Sequence, residues 1–213
     1  MFNVCYACGL YRVDKTIELM REPDFADAIC PECGNRHRFW RLPLLVIAGA
    51  SGAGKSTVCQ QLAGMLKTAV MLDVDILWRP EFDQPATHYR DFFETWLRLA
   101  KNINQAGRPA VLVGAGVGVP ENVEPCVEFR YFSALVTLAL VCDDDVLAAR
   151  LRSRPAWRQS GDDASIANHQ QFNHWFRTRP PTPAFDLLDT SSLGVAATAA
   201  QVAAWIETRC TRA

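Results

Sequence analysis

A short apolar segment followed by a glycine-rich loop constrains this chain more than any other feature. Residues 44–48, LLVIA, form the continuous apolar run that is typical of a buried parallel strand. The loop that follows directly, GASGAGKST at 49–57, fits the pattern G-x-x-x-x-G-K-[ST]. Small residues let successive backbone N–H groups surround a phosphate, and a following helix directs its positive end there. The segment therefore predicts an α/β fold that binds a nucleoside triphosphate.

The positions of this loop have different expected roles. We expect Lys55 to reach the β- and γ-phosphates, Ser56 to bind Mg²⁺ through its hydroxyl, and Thr57 to hydrogen-bond the α-phosphate. An ordinary glycine-rich turn is the alternative, and the flanking strand and a helical stretch from Lys55 to about Leu66 argue against it. The expected nucleotide-binding residues are Gly49, Ala50, Ser51, Gly52, Ala53, Gly54, Lys55, Ser56 and Thr57.

Four of the eight cysteines form two C-x-x-C pairs, which read CYACG and CPECG. Two tight turns that each supply two thiolates can complete a tetrahedral Zn²⁺ site, and a closed shell of four ligands is structural rather than catalytic. Two disulfides are the alternative; without a secretory signal, and with single cysteines in apolar segments, we expect a reducing cytoplasm instead. Residues 1–41 thus resemble a zinc ribbon. Its expected ligands are Cys5, Cys8, Cys30 and Cys33.

The next apolar segment ends in acidic residues. Residues 69–73, AVMLD, end in Asp73, and Asp75 and Arg79 follow. Strand periodicity puts the two carboxylates on the same side, at the end of the strand where ligands bind in open α/β sheets. One carboxylate there can accept the proton of an acceptor hydroxyl, and another can hold the water ligands of Mg²⁺. A solvated turn at the strand end is the alternative.

The phosphate loop, the D-x-D pair and the arginine after it together resemble the adenylate-kinase-like group of small-molecule kinases. That group includes nucleoside and nucleotide kinases, gluconate- and shikimate-type kinases and antibiotic phosphotransferases. The resemblance covers about residues 43–210. It implies that Asp75 is the general base, with Asp73 as its rival, and that Arg79 contacts the acceptor.

Three later apolar segments extend the resemblance. Residues 110–114 end in Gly114 rather than in the aspartate that is usual in P-loop ATPases, which argues against a motor or a helicase. Residues 134–142 and 185–192 supply the last two strands, the latter leading into a purine-facing loop and an amphipathic helix. The prediction is a P-loop NTPase three-layer fold with five parallel strands in the order 2-3-1-4-5.

Basic residues after the fourth strand imply a lid. Arg150 and Arg154 are four residues apart, hence on one helical face, and Arg158 lies beyond Pro155. The resemblance implies that such arginines close over the transferring phosphoryl group and neutralise its charge. A solvated basic helix face is the alternative.

Aromatic residues between the second and third strands mark the expected acceptor region. Phe93 and Trp96 either pack in the core or contact an acceptor that has a flat, apolar part, such as a nucleobase or an aromatic antibiotic. His169, in a polar stretch at 168–177, is a further candidate for substrate binding, although single histidines are more often surface residues.

Composition and charge exclude some classes of function. A net charge of −1 argues against a bulk nucleic-acid binder, and no apolar run reaches the roughly 18 residues of a membrane span. We expect a zinc-ribbon module at 1–41 and a kinase domain at 42–213 that uses ATP and Mg²⁺ on a small-molecule acceptor, nucleoside-like, nucleotide-like or an antibiotic.

Two other functions stay open at this stage. A polynucleotide 5′-hydroxyl kinase would grip nucleic acid through the ribbon, but residues 1–41 carry six basic and six acidic side chains and so offer no net attraction for phosphates. A non-catalytic module would use ATP binding to switch the docking of a partner through the ribbon. Whether the ribbon covers the acceptor site, forms a homodimer or binds elsewhere is also open.

Overall fold

The N-terminal part of the chain forms a small antiparallel sheet. The computed structural model describes residues 3–182 and 184–210. Strands β1 (Thr16–Leu19), β2 (Phe25–Ile29) and β3 (Arg36–Trp40) pair in the order β1-β2-β3. Alternation along β3 buries His37 and Phe39 and exposes Arg36 and Arg38, as a half-buried strand requires.

A five-stranded parallel sheet forms the centre of the molecule. Its order is β5-β6-β4-β7-β8, which is 2-3-1-4-5 when these strands are counted along the chain, so the predicted topology is confirmed. Every residue of the central strand is at most 1% exposed, as expected for a strand covered on both faces. The strands are β4 (Leu44–Ala48), β5 (Val70–Asp73), β6 (Ala110–Val113), β7 (Leu135–Val141) and β8 (Phe185–Asp189).

Helices cover both faces of this sheet and complete the three-layer α/β fold. Their bounds are α1 (Lys55–Leu62), α2 (Arg90–Asn104), α3 (Pro120–Val123), α4 (Asp144–Arg152), α5 (Asp163–Arg177) and α6 (Val195–Cys210). Alternate residues of β4 face the two layers: Leu45 and Ile47 pack with α1 and α6, whereas Val46 packs with α2 and α5. None of the helices in the described ranges combines the length and the hydropathy that a membrane span needs.

Two helix bounds differ from the sequence prediction. Helix α1 ends at Leu62 rather than near Leu66, because Gly64 adopts a φ of 75° that a helix cannot continue through. Helix α4 ends at Arg152, so Arg154 lies beyond it and does not share a helical face with Arg150, which corrects that expectation. Pro155 disfavours helical backbone at the residue before it, which accounts for this end.

The ribbon packs against α2 and the short 3₁₀ helix Val127–Tyr131 through a buried polar junction. The Lys101 ammonium forms an ion pair with the Glu128 carboxylate, which is fully buried, and donates to Asn3 Oδ1 at 2.6 Å. The Tyr131 hydroxyl donates to the carbonyl oxygen of Val13 at 2.6 Å. These contacts give the ribbon a defined attachment to the helix layer of the parallel sheet.

Candidate active site

The phosphate loop has the backbone that its glycines permit. Gly49, Gly52 and Gly54 have φ values of 135°, 92° and 106°, in the region that side chains with a Cβ rarely adopt. At Gly49 a Cβ would also lie 2.3 Å from the Leu140 carbonyl oxygen, so this position excludes any larger residue. The loop is thus held close to β7 and curls in front of the first turn of α1.

A cavity of about 510 Å³ opens in front of this loop. It is bordered by the loop, by the turn after β5, by the segment after α4, by α5 and by the connection from β8 to α6. The loop residues Ser51 to Thr57 line it, together with Val58, Asp75, Ala115, Arg150, Arg154, Arg158, His169, Phe172, Thr190, Leu193, Val195 and Thr198.

Lys55 supplies a cation at the floor of this cavity. Its ammonium donates to the carbonyl oxygens of Gly49 and Ala50 at 2.8 and 2.9 Å. Desolvation by the surrounding protein lowers the pKa of Lys55 to about 8, against the attraction of the Asp75 carboxylate. An anion entering the cavity would therefore meet a poorly solvated ammonium group.

The two aspartates of the D-x-D pair take different positions. Asp75 lies in the 3₁₀ helix Val74–Leu77 and lines the cavity, where desolvation and then the Asp73 carboxylate raise its pKa above the ordinary range. Asp73 ends β5, caps that 3₁₀ helix by accepting from the Asp75 N–H at 3.0 Å, and lines a separate, smaller cavity beside α1. Asp75 is thus the member of the pair that faces the phosphate loop.

Both arginines predicted for the lid contact the loop region. Arg150 donates to the Thr190 carbonyl oxygen at 2.7 Å and to its hydroxyl at 3.0 Å. Arg154 donates to the Ser51 hydroxyl at 2.7 Å, and burial together with the nearby Arg158 lowers its pKa. The group is not a solvated basic helix face, since all three guanidinium groups border the cavity.

The residues predicted to bind substrate divide into two sets. His169 lines the cavity, and burial together with Lys55 and Arg154 lowers its pKa. Phe93 and Trp96 are 3% and 0% exposed and belong to the core, which favours the core alternative over contact with an acceptor. Their helical spacing places them on the face of α2 that packs on the sheet. Arg79 also lies outside the cavity, exposed and stacked on the Phe82 ring.

Two features of the site were not assigned from the sequence. The Thr190 hydroxyl accepts a hydrogen bond from Arg150 and donates one to the Ala53 carbonyl oxygen at 3.2 Å. Thr190 thus joins the end of β8 to the phosphate loop. Gly114 stands at the end of β6 because a Cβ there would lie 2.2 Å from Val74 Cγ2. Small polar residues after a strand, such as Thr190, carry no distinctive sequence signal.

The four predicted zinc ligands come together in the ribbon. Their sulphur atoms all lie within 4.8 Å of one another, with Cys5 and Cys33 3.6 Å apart and Cys8 and Cys30 3.7 Å apart. A tetrahedron with zinc–sulphur bonds of about 2.3 Å has sulphur atoms about 3.8 Å apart. All four cysteines are free thiols rather than disulfides. The residues fit a four-thiolate zinc centre.

Comparison with known proteins identifies the family. The family described as AAA domain matches residues 44–180, well over half of the chain, including the phosphate loop, Asp75 and all three arginines of the cavity. The chain belongs to this AAA domain family. The match begins at the first residue of β4, so the ribbon precedes the AAA domain. The comparison with curated proteins finds no match.

Solved structures share the fold of this AAA domain. A sugar kinase from Janibacter is 16% identical, with a TM-score of 0.55, and the match covers 80% of this chain and 99% of that one. The tunicamycin resistance protein of Deinococcus radiodurans is 18% identical, with a TM-score of 0.55 and coverage of 78% and 96%. A gluconokinase from Sinorhizobium meliloti is 17% identical, with a TM-score of 0.51 and coverage of 79% and 93%. The fold is that of P-loop small-molecule kinases.

Proposed function

We propose that this protein is an ATP- and Mg²⁺-dependent phosphotransferase that acts on a small-molecule acceptor. The observation that carries the proposal is the convergence of Lys55, Asp75 and Arg154 on one cavity at the phosphate loop. A cation for the phosphates, a carboxylate opposite it and a second cation are the groups that phosphoryl transfer needs.

The residues of the cavity fit the donor nucleotide. The loop amides and Lys55 would hold the β- and γ-phosphates, and the connection from Thr190 to Thr198 would border the nucleoside. The Ser56 hydroxyl and the Asp75 carboxylate are oxygen groups of the kind that Mg²⁺ prefers. When bound, Mg²⁺ would neutralise charge on the β- and γ-phosphates.

Asp75 is the proposed general base. A carboxylate with a raised pKa is a stronger proton acceptor than an ordinary aspartate, and this one faces the phosphate loop. Asp73 is occupied in capping the turn, which supports Asp75 over its rival. Arg154 and Arg150 would neutralise the charge that develops on the transferred group.

The ribbon is proposed to hold structural Zn²⁺ through its four cysteines. The tetrahedral spacing of the sulphur atoms supports this, and a shell of four thiolates leaves no open position for catalysis. Although burial opposes ionisation, the backbone amides of Cys8 and Ala7 and the neighbouring His37 lower the pKa of Cys5 to about 5. A thiolate at Cys5 is the form that binds metal.

The charges of the ribbon support a small-molecule acceptor over a polynucleotide. Arg12 pairs with Asp14, and Arg38 pairs with Glu22. Arg36 contacts Glu18 at 2.6 Å and Asp27 at 2.8 Å. Arginines whose charge is matched within the ribbon offer little attraction to a phosphate backbone.

The experiment is ADP release measured across a panel of nucleosides, nucleotides, sugars and aminoglycosides, with Lys55→Ala as the blank. We expect at least one acceptor to raise ADP release above the acceptor-free rate. ATP binding with no acceptor-stimulated release across the panel would instead support an ATP-switched interaction module. Salt-dependent binding of labelled oligonucleotides would support the polynucleotide kinase.

A further inference from the structure

A second cavity, of about 470 Å³, adjoins the phosphate cavity. Phe172 of α5 lines both, so the two share a wall. The remainder of the second cavity is formed by α5, by α3 with the residue before it, and by the segment that precedes α2. Its other polar and aromatic side chains are His88, Glu121, Asn122, Asn168, Gln171 and Trp175.

The walls of this second cavity are fixed by their own contacts. Asn122 Nδ2 donates to the carbonyl oxygen of Gly116 at 3.0 Å, which joins α3 to the loop after β6. Ala115 of that same loop lines the phosphate cavity. On the other wall the rings of Phe172 and Trp175 stack, with centroids 5.9 Å apart and planes inclined by 24°. The cavity thus combines a flat aromatic wall with a wall that carries amide groups.

The charge of the second cavity is opposite to that of the first. Of its described lining residues none is Lys or Arg; Glu121 supplies a carboxylate, and His88 is the one other titratable residue. Of the nearby arginines, Arg90 interacts with the Cys126 sulphur. The Arg179 guanidinium lies over the rings of Trp175 and Phe185, so it borders the aromatic wall without lining the cavity. An anionic group placed here would meet the Glu121 carboxylate and would find no lysine or arginine in the lining, whereas a hydroxyl or an ammonium would have polar partners.

We propose that the second cavity binds the acceptor, and that the acceptor is an uncharged or cationic hydroxyl compound with a flat ring. The ring of the acceptor lies against Phe172 and Trp175, and the side-chain amides of Asn168 and Gln171 hydrogen-bond to its polar edge. This assignment rests on the proposed function. The two substrates would then bind in cavities of different charge. Anionic ATP occupies the cavity with Lys55 and the three arginines, and the uncharged or cationic acceptor occupies the second cavity.

In the proposed transfer step, the acceptor hydroxyl reaches past Phe172 from the second cavity into the phosphate cavity. The acceptor hydroxyl oxygen forms a bond to the γ-phosphorus while the bond from that phosphorus to the β–γ bridging oxygen breaks. The hydroxyl proton passes to the Asp75 carboxylate, and ADP leaves with the electron pair of the broken bond. Glu121 lines the second cavity only and takes no part in this step. Its carboxylate would repel a carboxylate or a phosphate on the acceptor.

The test compares compounds that share a ring and differ in charge. The probes are 4-nitrophenyl β-glucoside (neutral), the corresponding glucosaminide (cationic) and glucuronide (anionic), and the pair thymidine and thymidine 5′-monophosphate. Binding to the full chain loaded with Mg²⁺ and β,γ-methylene-ATP is measured by calorimetry, and ADP release is measured separately with ATP. We expect the neutral or cationic member of at least one series to bind at least about tenfold more tightly than its anionic twin, which is about 1.4 kcal/mol.

Variants of the cavity locate the binding site. Glu121→Gln should weaken the glucosaminide several-fold, whereas Glu124→Gln, an exposed residue at the end of the same helix, should not. Gln171→Arg should strengthen the glucuronide relative to the glucoside, whereas His174→Arg, which adds the same charge to α5 outside the cavity, should not.

The possible outcomes are distinct. Tighter binding of the anionic twins, no binding of any neutral or cationic probe, or equal effects of the cavity and control variants would overturn the assignment. Charge-selective binding without ADP release would support the class of ligand and contradict the proposed function instead.

Discussion

The indole N–H of Trp96 donates to the carbonyl oxygen of Val74 at 3.1 Å. This bond ties the middle of α2 to the 3₁₀ helix that carries Asp75. Further along the same helix, Lys101 donates to Asn3 at the ribbon junction. One helix therefore contacts both the turn of the proposed base and the N-terminal module.

Replacing Trp96 by phenylalanine removes this bond and leaves a buried carbonyl without its donor. We expect Trp96→Phe to lower the free energy of unfolding by roughly 2 kcal/mol, from the lost hydrogen bond and the smaller ring. Because the bond positions the turn of Asp75, kcat should fall more than the affinity for ATP. Thermal denaturation and steady-state kinetics measure both effects. Trp157→Phe, at a residue that is 73% exposed, is the matched control and should change neither.

Replacing Asp75 by asparagine removes the proposed proton acceptor and keeps the shape of the side chain. We expect Asp75→Asn to lower kcat by about 10²-fold or more, with ATP affinity changed less than threefold. Asp73→Asn should lower it much less, since an amide oxygen can still accept the cap hydrogen bond from Asp75. Single-turnover transfer and ATP titration measure the two effects. Full turnover by Asp75→Asn would move the base to Asp73 or remove it.

The lowered pKa of Lys55 predicts a pH dependence of ATP binding. The ammonium holds the phosphates in its charged form, which predominates below about pH 8 in the free protein. Affinity for ATP should therefore be full below pH 8 and should fall as pH rises above it, by up to about tenfold per pH unit. Titrations from pH 7 to pH 9.5 measure this. Lys55→Arg stays charged throughout, so its affinity should not vary with pH over that range.

The buried ion pair of Lys101 and Glu128 predicts that removing one partner strongly destabilises the protein and that removing both partners largely restores its stability. Lys101→Met leaves a fully buried carboxylate without one of its partners, and we expect the free energy of unfolding to fall by about 3 kcal/mol. The double variant Lys101→Met/Glu128→Leu removes both charges and should recover most of that loss. Chemical denaturation measures the three proteins. A double variant as unstable as the single one would show that the junction depends on packing instead.

Removal of the metal should affect the ribbon before the AAA domain. Cys33→Ser, or a strong chelator, should release the proposed zinc and destabilise the small antiparallel sheet, because its hydrophobic cluster is small. ATP binding should persist, since the phosphate cavity contains no residue of the ribbon. Metal analysis and calorimetric ATP titration measure the outcome. Cys59→Ser, outside the cluster, should keep the zinc.

Features encoded in short segments could be predicted from the sequence. The phosphate loop needs closely spaced glycines, a lysine and a serine, and the four-cysteine cluster needs two tight turns with paired cysteines, so both can be recognised as local patterns. The apolar segments marked the five strands, and the resemblance to adenylate-kinase-like kinases implied their order, with the right-handed crossovers that parallel strands require. Asp75 was a candidate because it lies two residues after the end of a strand, where the chain must leave the sheet.

The choice between a core and a surface position was decided by tertiary structure. Phe93 and Trp96 have the spacing of an amphipathic helix, and the sequence alone leaves open whether that face meets a sheet or a ligand. Arg154 lies beyond α4, yet it reaches Ser51, more than a hundred positions earlier in the chain. The acceptor cavity combines residues from α3, α5 and the segment before α2, which no local pattern connects.

The sequence by itself determined that a phosphate loop follows a buried strand and that four cysteines can share a metal, because both depend on residues close together in the chain. Tertiary structure alone decided which of two aspartates faces the loop, since Asp73 is turned to cap a helix. It also decided where the cations lie and where they are absent, because charge in a cavity is the sum of side chains that distant elements bring together.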